Sequence, residues 1–311
     1  DPDGVEGAID TLRGYDIPLS IDTMEKQNIE RALDSDIDMI MSFDHRLLNQ
    51  FNDIKTPIVV IPKKETIPKD YNKKIQILEE NIKLAKSRGF KNIIADLILE
   101  PLNFGFTDSV TAYRIFSNNH KMPILLGTGN VTELMDADSV GINALLSGIA
   151  MECDASIVFT PEQSDKAQGS TNELATASKM MYLTRRRGSA PKDLGLDLLR
   201  LKDKRVKREE FKEELYNNAG VIQAKMNKRH GYDPKGFFKI FVGEDIKAVH
   251  YKKEKPKFVI KGASAKEISD MIFSMALVSD ISHALYLGRE LEKAEVALKT
   301  GKSYVQDMGV F

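Results

Sequence analysis

The sequence predicts an α/β protein built on a parallel sheet and joined to a smaller α+β domain. Three observations predict it. Short β-branched runs alternate with helical patterns from residue 18 to about residue 160, polar side chains recur where those runs end, and beyond about residue 218 three β-rich runs precede two helices. The expected strands of the first domain are 18–21, 38–42, 57–61, 92–95, 123–126 and 155–159. The best helix between them spans Lys73 to Arg88, where Ile75, Leu78, Ile82 and Ala85 share a stripe and Gly89 supplies the stop. Thr107 or Asp108 is placed to cap the helix that ends near Ser117, and Ser139 the helix carrying Ile142, Leu145, Leu146 and Ile149. A helix from about Thr171 to Arg187 follows, and the domain is assigned to residues 1–205. The stretch from Arg185 to Lys192 and on through Leu201 to Glu214 is charged enough to read as a solvated connector. In the second domain, residues 218–311, Tyr232-Asp233-Pro234-Lys235-Gly236 is a turn signal. It precedes an antiparallel meander of strands 237–242, 246–251 and 257–260, then helices at 265–278 and 281–299.

Six strands in βα order fit either a doubly wound sheet or a TIM-type (β/α)8 barrel that lacks two strands. Both folds place ligands at the C-terminal strand ends. No Gly-rich phosphate turn of the G-x-G-x-x-G kind follows the first strand, which favours the barrel.

Composition narrows the functional classes. A chain of 311 residues, 42% hydrophobic, exceeds the roughly 250–300 residues at which single cores stop growing, so two domains are expected. The formal net charge of −1 supplies no global basic field, and neither nucleic acid nor membrane is expected as a partner. The lone Cys153 excludes an internal disulfide framework, and no apolar run approaches the roughly 18 residues of a membrane span. A reducing, cytoplasmic setting is the expectation. The opening Asp1-Pro2-Asp3-Gly4, without an initiator Met, reads as a processed fragment with a segment missing upstream.

The chemistry is concentrated at three strand ends. Asp22 closes Pro18-Leu19-Ser20-Ile21, Asp96 closes Asn92-Ile93-Ile94-Ala95, and Asn130 follows Pro123-Ile124-Leu125-Leu126-Gly127-Thr128-Gly129. Any one of them could simply cap the helix that follows. Three at equivalent ends form a row of acceptors suited to a ligand with several N–H donors. A pterin is such a ligand, because its 2-amino group and ring N–H make a guanidine-like edge that a carboxylate binds through two charge-assisted hydrogen bonds.

At these residues the chain resembles the pterin-binding barrels that include dihydropteroate synthase and the methyltetrahydrofolate-dependent methyltransferases. Ser20-Ile21-Asp22-Thr23 is similar to the S-[VI]-D-T of that superfamily's third strand. Asp96-Leu97-Ile98-Leu99-Glu100-Pro101 is closer to the methyltransferase form D-P-L-[VI]-x-P than to the synthase form D-P-G-F-G, and Gly127-Thr128-Gly129-Asn130-Val131 is similar to the methyltransferase G-x-S-N-V. The resemblance covers roughly residues 10 to 185. Taken whole, with Ala284 to Glu295 and Ser303 to Asp307, the chain resembles archaeal dihydropteroate synthase-related proteins that carry a small C-terminal domain. It implies a barrel that starts at strand 3, with strands 1 and 2 absent from this chain, and a reduced pterin as cofactor, tetrahydromethanopterin rather than folate.

The departures shape the expected activity. Synthases of this family use a Lys after strand 7 and an Arg-x-His after strand 8 to manage diphosphate and the aryl amine. Here those places read Val131 and Phe159-Thr160-Pro161, so diphosphate departure lacks electrostatic support. The family's strand 4 Asn is also missing, and Ser42 or Asp44 is the substitute. The expected function is therefore a transferase of archaeal one-carbon metabolism, a methyl-tetrahydropterin methyltransferase. Condensation of a pterin with an arylamine and a non-catalytic pterin-binding or assembly subunit are the alternatives. In this reading Asp22, Ser42, Asp44, Asp96 and Asn130 bind the pterin, and Asn130 and Asp22 serve the chemistry near N5, which must be protonated before its methyl can leave. The methyl acceptor has no signature in the chain, so an acceptor or corrinoid protein is the implied partner, and a homodimer stays open. No metal is expected, since one Cys cannot build a thiolate zinc site and His45, His120, His230, His250 and His283 show no ligand spacing. His45, beside Asp44, is the histidine nearest the expected pocket. Cys153 reads as a small core residue, and residues 160–170 as a polar rim loop.

Overall fold

A computed structural model of the chain describes residues 2–199, 211–212, 214, 217–225 and 233–310. The chain forms two compact units, Asp1–Leu198 and Leu199–Phe311. Most of the expected connector from Leu201 to Glu214, together with His230 and Tyr232, lies outside the described residues.

Six parallel strands form the sheet of the first unit: β1 (Ser20–Asp22), β2 (Met39–Phe43), β3 (Ile58–Val60), β4 (Ile93–Asp96), β5 (Ile124–Gly127) and β6 (Ile157–Phe159). Each pairs with the next in the chain. A doubly wound sheet would reverse its strand order at a switch point, and this one does not. The sheet curls into a half-barrel in which, among the described residues, β1 and β6 are not paired with each other, so six strands of the expected barrel are seen and its closure is not.

Strand alternation separates two apolar layers. Ile40, Ile58, Val60, Ile93, Ala95, Ile124 and Leu126 face the helices and build the main core with Leu78, Tyr113, Phe116 and Leu146. Met41, Val59, Ile94 and Leu125, joined by Met39 and Ile157, form a smaller layer on the concave face. The helices are α1 (Pro2–Arg13), α2 (Lys26–Asp34), α3 (His45–Leu48), α4 (Tyr71–Ser87), α5 (Phe106–Asn119), α6 (Gly129–Thr132), α7 (Ser139–Glu152) and α8 (Ser170–Arg187).

Helix starts differ from the sequence expectation in instructive ways. Asp70 caps α4 by accepting from Lys73 N, and Gly89, at φ +90°, ends that helix as anticipated. Thr107 and Asp108 are not caps, because α5 begins one residue before Thr107, behind Gly105 in the left-handed conformation. Ser139 is the first residue of α7, and Asp138 precedes it. Helix α1 was not anticipated; α2, α3 and α6 follow strands after which only weak helical stripes were expected, and each has fewer than ten residues.

The second unit contains β7 (Phe237–Val242), β8 (Ile246–Lys252) and β9 (Lys255–Gly262) as an antiparallel meander, then α9 (Ala265–Ser274) and α10 (Ile281–Thr300). Its core joins Phe238, Ile240, Ile246, Ala248 and Ile260 of the sheet to Ile268, Ile272, Leu287 and Leu291 of the helices. Ser264 and Glu267 form a capping box on α9. Gly236, at φ +123°, allows β7 to start beside β8, since a Cβ there would lie 2.0 Å from Tyr251 O.

Candidate functional site

Polar side chains replace apolar ones at the last concave position of two strands. In β4 the concave position moves from Ile94 to Asp96, and in β1 Asp22 lies on the face opposite Ile21, which packs toward the helices. The site's floor is the concave apolar layer described above.

Asp96 is the most constrained of these groups. Its Oδ1 accepts from Tyr113 Oη at 2.5 Å and from Ile98 N at 2.7 Å. Among the described residues no hydrogen bond reaches Oδ2, and the residue keeps part of its surface open. Burial raises its pKa above the ordinary carboxylate value, outweighing the bonds from Tyr113 and Ile98 and the nearby Lys74 ammonium, and Asp22 adds to the rise. The two carboxylates therefore feel one another across the concave face. Asp22, exposed at its strand end, is also raised, by partial burial. Burial and the adjacent Asp96 push the Tyr113 phenol well above its usual value, so it remains a donor.

A strained turn holds this carboxylate. Ile98 adopts φ +60°, an unusual conformation for a β-branched residue. Both of its backbone groups are gripped: its N–H by Asp96, and its carbonyl by the fully buried Lys74 ammonium at 3.1 Å. Lys74 also pairs with Glu100 at 2.8 Å. Neither Tyr113 nor Lys74 was singled out from the sequence. Tyr113 lies among the apolar positions of a helix and Lys74 beside Ile75 in another, so each looks like ordinary helix content until the fold aims it at residues 96–100.

Asn130 occupies the second residue of α6 and is exposed. Its Nδ2 donates to Leu99 O at 2.8 Å, which ties the β5 rim to the strained turn, and no hydrogen bond among the described residues uses Oδ1. Gly129 is required beside it, because a Cβ there would lie 2.6 Å from Pro161 Cδ. Ser42 sits half-buried where the β2–β3 register shifts. Asp44 is buried and caps α3 through Leu47 N at 2.9 Å, with Lys63 Nζ 4.0 Å away, so part of its capacity is spent on the fold. His45 is tied to Asn81, which in turn donates to Ile61 O and Lys63 O.

The loop after β6 is folded rather than loose. Glu133 accepts from Gln163 N and Ser164 N, and Glu162 accepts from Gly169 N and Thr171 N. Lys166 is held by the carbonyls of Thr132 and Met135. Cys153 is buried, as expected of a core residue. Among the described residues no cluster of His, Cys, Asp and Glu is arranged to hold a metal ion, and no helix is long and apolar enough to cross a membrane.

Fold and site together define a parallel half-barrel with an acceptor-lined concave rim, followed by a small α+β unit. A family model described as PterinBD-DUF4346 matches residues 232–307, within the second unit. An uncharacterised protein of Methanocaldococcus jannaschii is 42% identical over 313 aligned positions, covering 95% of this chain and 58% of that protein. The chain thus spans less than two thirds of that archaeal relative. A Ycf91-like protein of a Nostoc species is 32% identical over 124 positions, covering 30% of this chain and 98% of that protein. The uncharacterised protein ycf91 of Pyropia yezoensis is 44% identical over 50 positions, 43% of its length. The chain belongs to the family of the Ycf91-like protein, and the description of the matched family model supports a pterin-binding family.

Proposed function

We propose that the half-barrel binds a reduced pterin at its concave rim, with tetrahydromethanopterin as the expected form, and acts as a methyl-tetrahydropterin methyltransferase. The observation that carries the reading is Asp96: one oxygen is locked by two donors while, among the described residues, no hydrogen bond reaches the other, with Asp22 close enough to share its field. Such a pair suits the guanidine-like edge of a pterin, whose donors would offset the burial that now opposes ionisation. Asn130 Oδ1, the acceptor of its amide, would accept a hydrogen bond from the protonated N5 and so favour the charged form from which the methyl leaves. Ser42 is the additional rim contact, and Asp44 supports the rim from beneath.

Methyl transfer is supported over condensation by the local charges. Val131 is buried where a synthase carries a cation, and Lys166 is committed to two carbonyls. A partner protein, corrinoid-bearing or otherwise, would bring the acceptor.

Calorimetric titration of a reduced pterin tests the site. Loss of a hydrogen bond to a charged group costs roughly 1.5–3 kcal/mol, so Asp96→Ala should weaken binding by at least about tenfold. Asn130→Ala should weaken it less. Unchanged affinity in both variants removes the site, and diphosphate release from a pterin diphosphate with an arylamine would replace methyl transfer by condensation.

A further inference from the structure

We propose that the solvent-facing side of the β7–β8–β9 sheet is a binding platform for single-stranded nucleic acid. The inference is independent of the pterin reading. It begins with charge, because the net value of −1 conceals a segregation: residues 1–198 hold 30 acidic and 22 Lys or Arg side chains, whereas residues 199–311 hold 16 and 23. Within residues 235–262, the span of the sheet, eight lysines face three acids. The sequence expectation of no nucleic-acid partner rested on the global sum, which cannot register this separation.

Alternation then sorts the side chains. The face toward α9 and α10 takes Phe238, Ile240, Ala248 and Ile260. An antiparallel sheet covered on one side normally presents polar residues on the other. Here the outward positions of β7 are Phe237, Lys239 and Phe241, of which Phe237 and Phe241 are 38% and 51% exposed. Across the sheet Phe237 stacks on Tyr251 with ring centroids 5.1 Å apart, and Lys239 Nζ lies 5.6 Å from the Tyr251 ring. The row of Phe241 continues through Lys247 to Lys261, and Val249 and Val259 fill the row between. None of these outward positions is acidic. Asp245 pairs with Lys247 at 2.7 Å and also lies in the field of Lys261, so the three outward lysines keep a net positive charge against this one acid.

Aromatic rings interleaved with ammonium groups fit an unpaired strand. Phosphates meet the lysines, while exposed bases stack on rings without regard to sequence. Phe237 and Phe241 lie about 13 Å apart along one strand, a spacing at which one extended chain reaches both rings with alternate bases. A duplex hides its bases and would leave the rings unused. An extended peptide joining the β7 edge is disfavoured, because the Gln306 carboxamide already occupies it, accepting from Ile240 N at 2.9 Å and donating to Phe238 O at 3.2 Å. A second copy placed face to face would set Lys261 and Lys247 against their own like charges.

The test is fluorescence anisotropy of the full 311-residue chain with a labelled oligouridylate of about 12 nucleotides, at about 50 and 200 mM salt. Lys239→Ala combined with Lys261→Ala should weaken binding and flatten the log–log salt dependence by about 1.4, the value for two phosphate contacts on a single strand. Phe237→Leu with Phe241→Leu keeps the apolar volume and removes the π faces. It should weaken binding by about tenfold or more with the salt slope unchanged. Lys266→Ala with Lys299→Ala, on the helical side, should behave as the parent chain. The proposal is overturned by failure to bind the strand at the lower salt, by equal affinity for a duplex of the same length, or by equal losses in the helical-side control. It is also overturned if a polyglutamate peptide competes equally, which would make the occupant an acidic protein surface.

Discussion

Asp96→Asn should make the half-barrel more stable while destroying its ligand site. Burial raises the folded-state pKa of Asp96 above that of the unfolded chain. The folded state then holds this proton more firmly than the unfolded one, so stability falls as pH climbs from the unfolded value through the folded one, and the penalty is absent only where both states are protonated. An amide carries no charge to bury. Asn Oδ1 can still accept from Tyr113 and Ile98, so the strained turn keeps its anchor. Each unit by which the carboxyl is raised corresponds to about 1.4 kcal/mol, and 1 kcal/mol moves the melting midpoint of a unit of this size by about 2–4 °C. A gain of a few degrees is therefore expected near pH 7, shrinking to nothing near about pH 3, where the wild-type carboxyl is already protonated. Thermal melts followed by far-UV circular dichroism at both pH values measure it, with pterin titration alongside. A variant that melts lower than wild type near neutrality, or gains equally at both pH values, would refute the electrostatic account.

Two further expectations concern packing and charge. Gly129→Ala drives a methyl to within 2.6 Å of Pro161 Cδ, so it should cost roughly 1–3 kcal/mol in urea unfolding and weaken pterin binding by displacing Asn130; an unaffected midpoint would show that the Pro161 segment yields freely. In the second unit Asp233 accepts from Ser279 N and Oγ, Asp280 N and Lys235 N, with His283 Nδ1 at 3.1 Å. Burial opposes its charge, but Ser279 Oγ and these N–H donors outweigh it and hold the pKa well below the usual range. Its stabilisation is thus present above the unfolded carboxylate pKa and lost as pH falls toward the folded value. Asp233→Ala should cost about 3 kcal/mol by stranding several donors. If acid titration of the variant's melting midpoint runs parallel to that of wild type, this carboxylate is not a source of acid lability.

The half-barrel was legible in the sequence because its signals are local. Val, Ile and Leu runs of three to five residues, each followed by a helical stripe, specify parallel βα units wherever they lie, and all nine expected strands overlap observed ones. The end positions of Asp22 and Asp96 were legible for the same reason, since a period of two puts a polar residue on a definite face once its neighbours are assigned. Helix starts were less so. Thr107 and Asp108 were the two candidate caps of α5, and the left-handed Gly105 opens the helix ahead of both.

What the sequence by itself determined is the order of elements and the strand-end positions of the carboxylates and amide, because these follow from periodicity and short-range sterics. The tertiary structure alone decided how those groups are equipped: that Tyr113 and Lys74, 17 and 24 residues from the groups they bind, clamp Asp96 and Ile98, and that Asn130 donates to Leu99. It also decided that Phe237, Phe241, Lys239 and Lys261 share one open face, a fact hidden in a net charge near zero. The physical reason is the same in each case. Hydrogen bonds and fields act over a few ångströms in space, and only the folded chain sets which distant residues come within that reach.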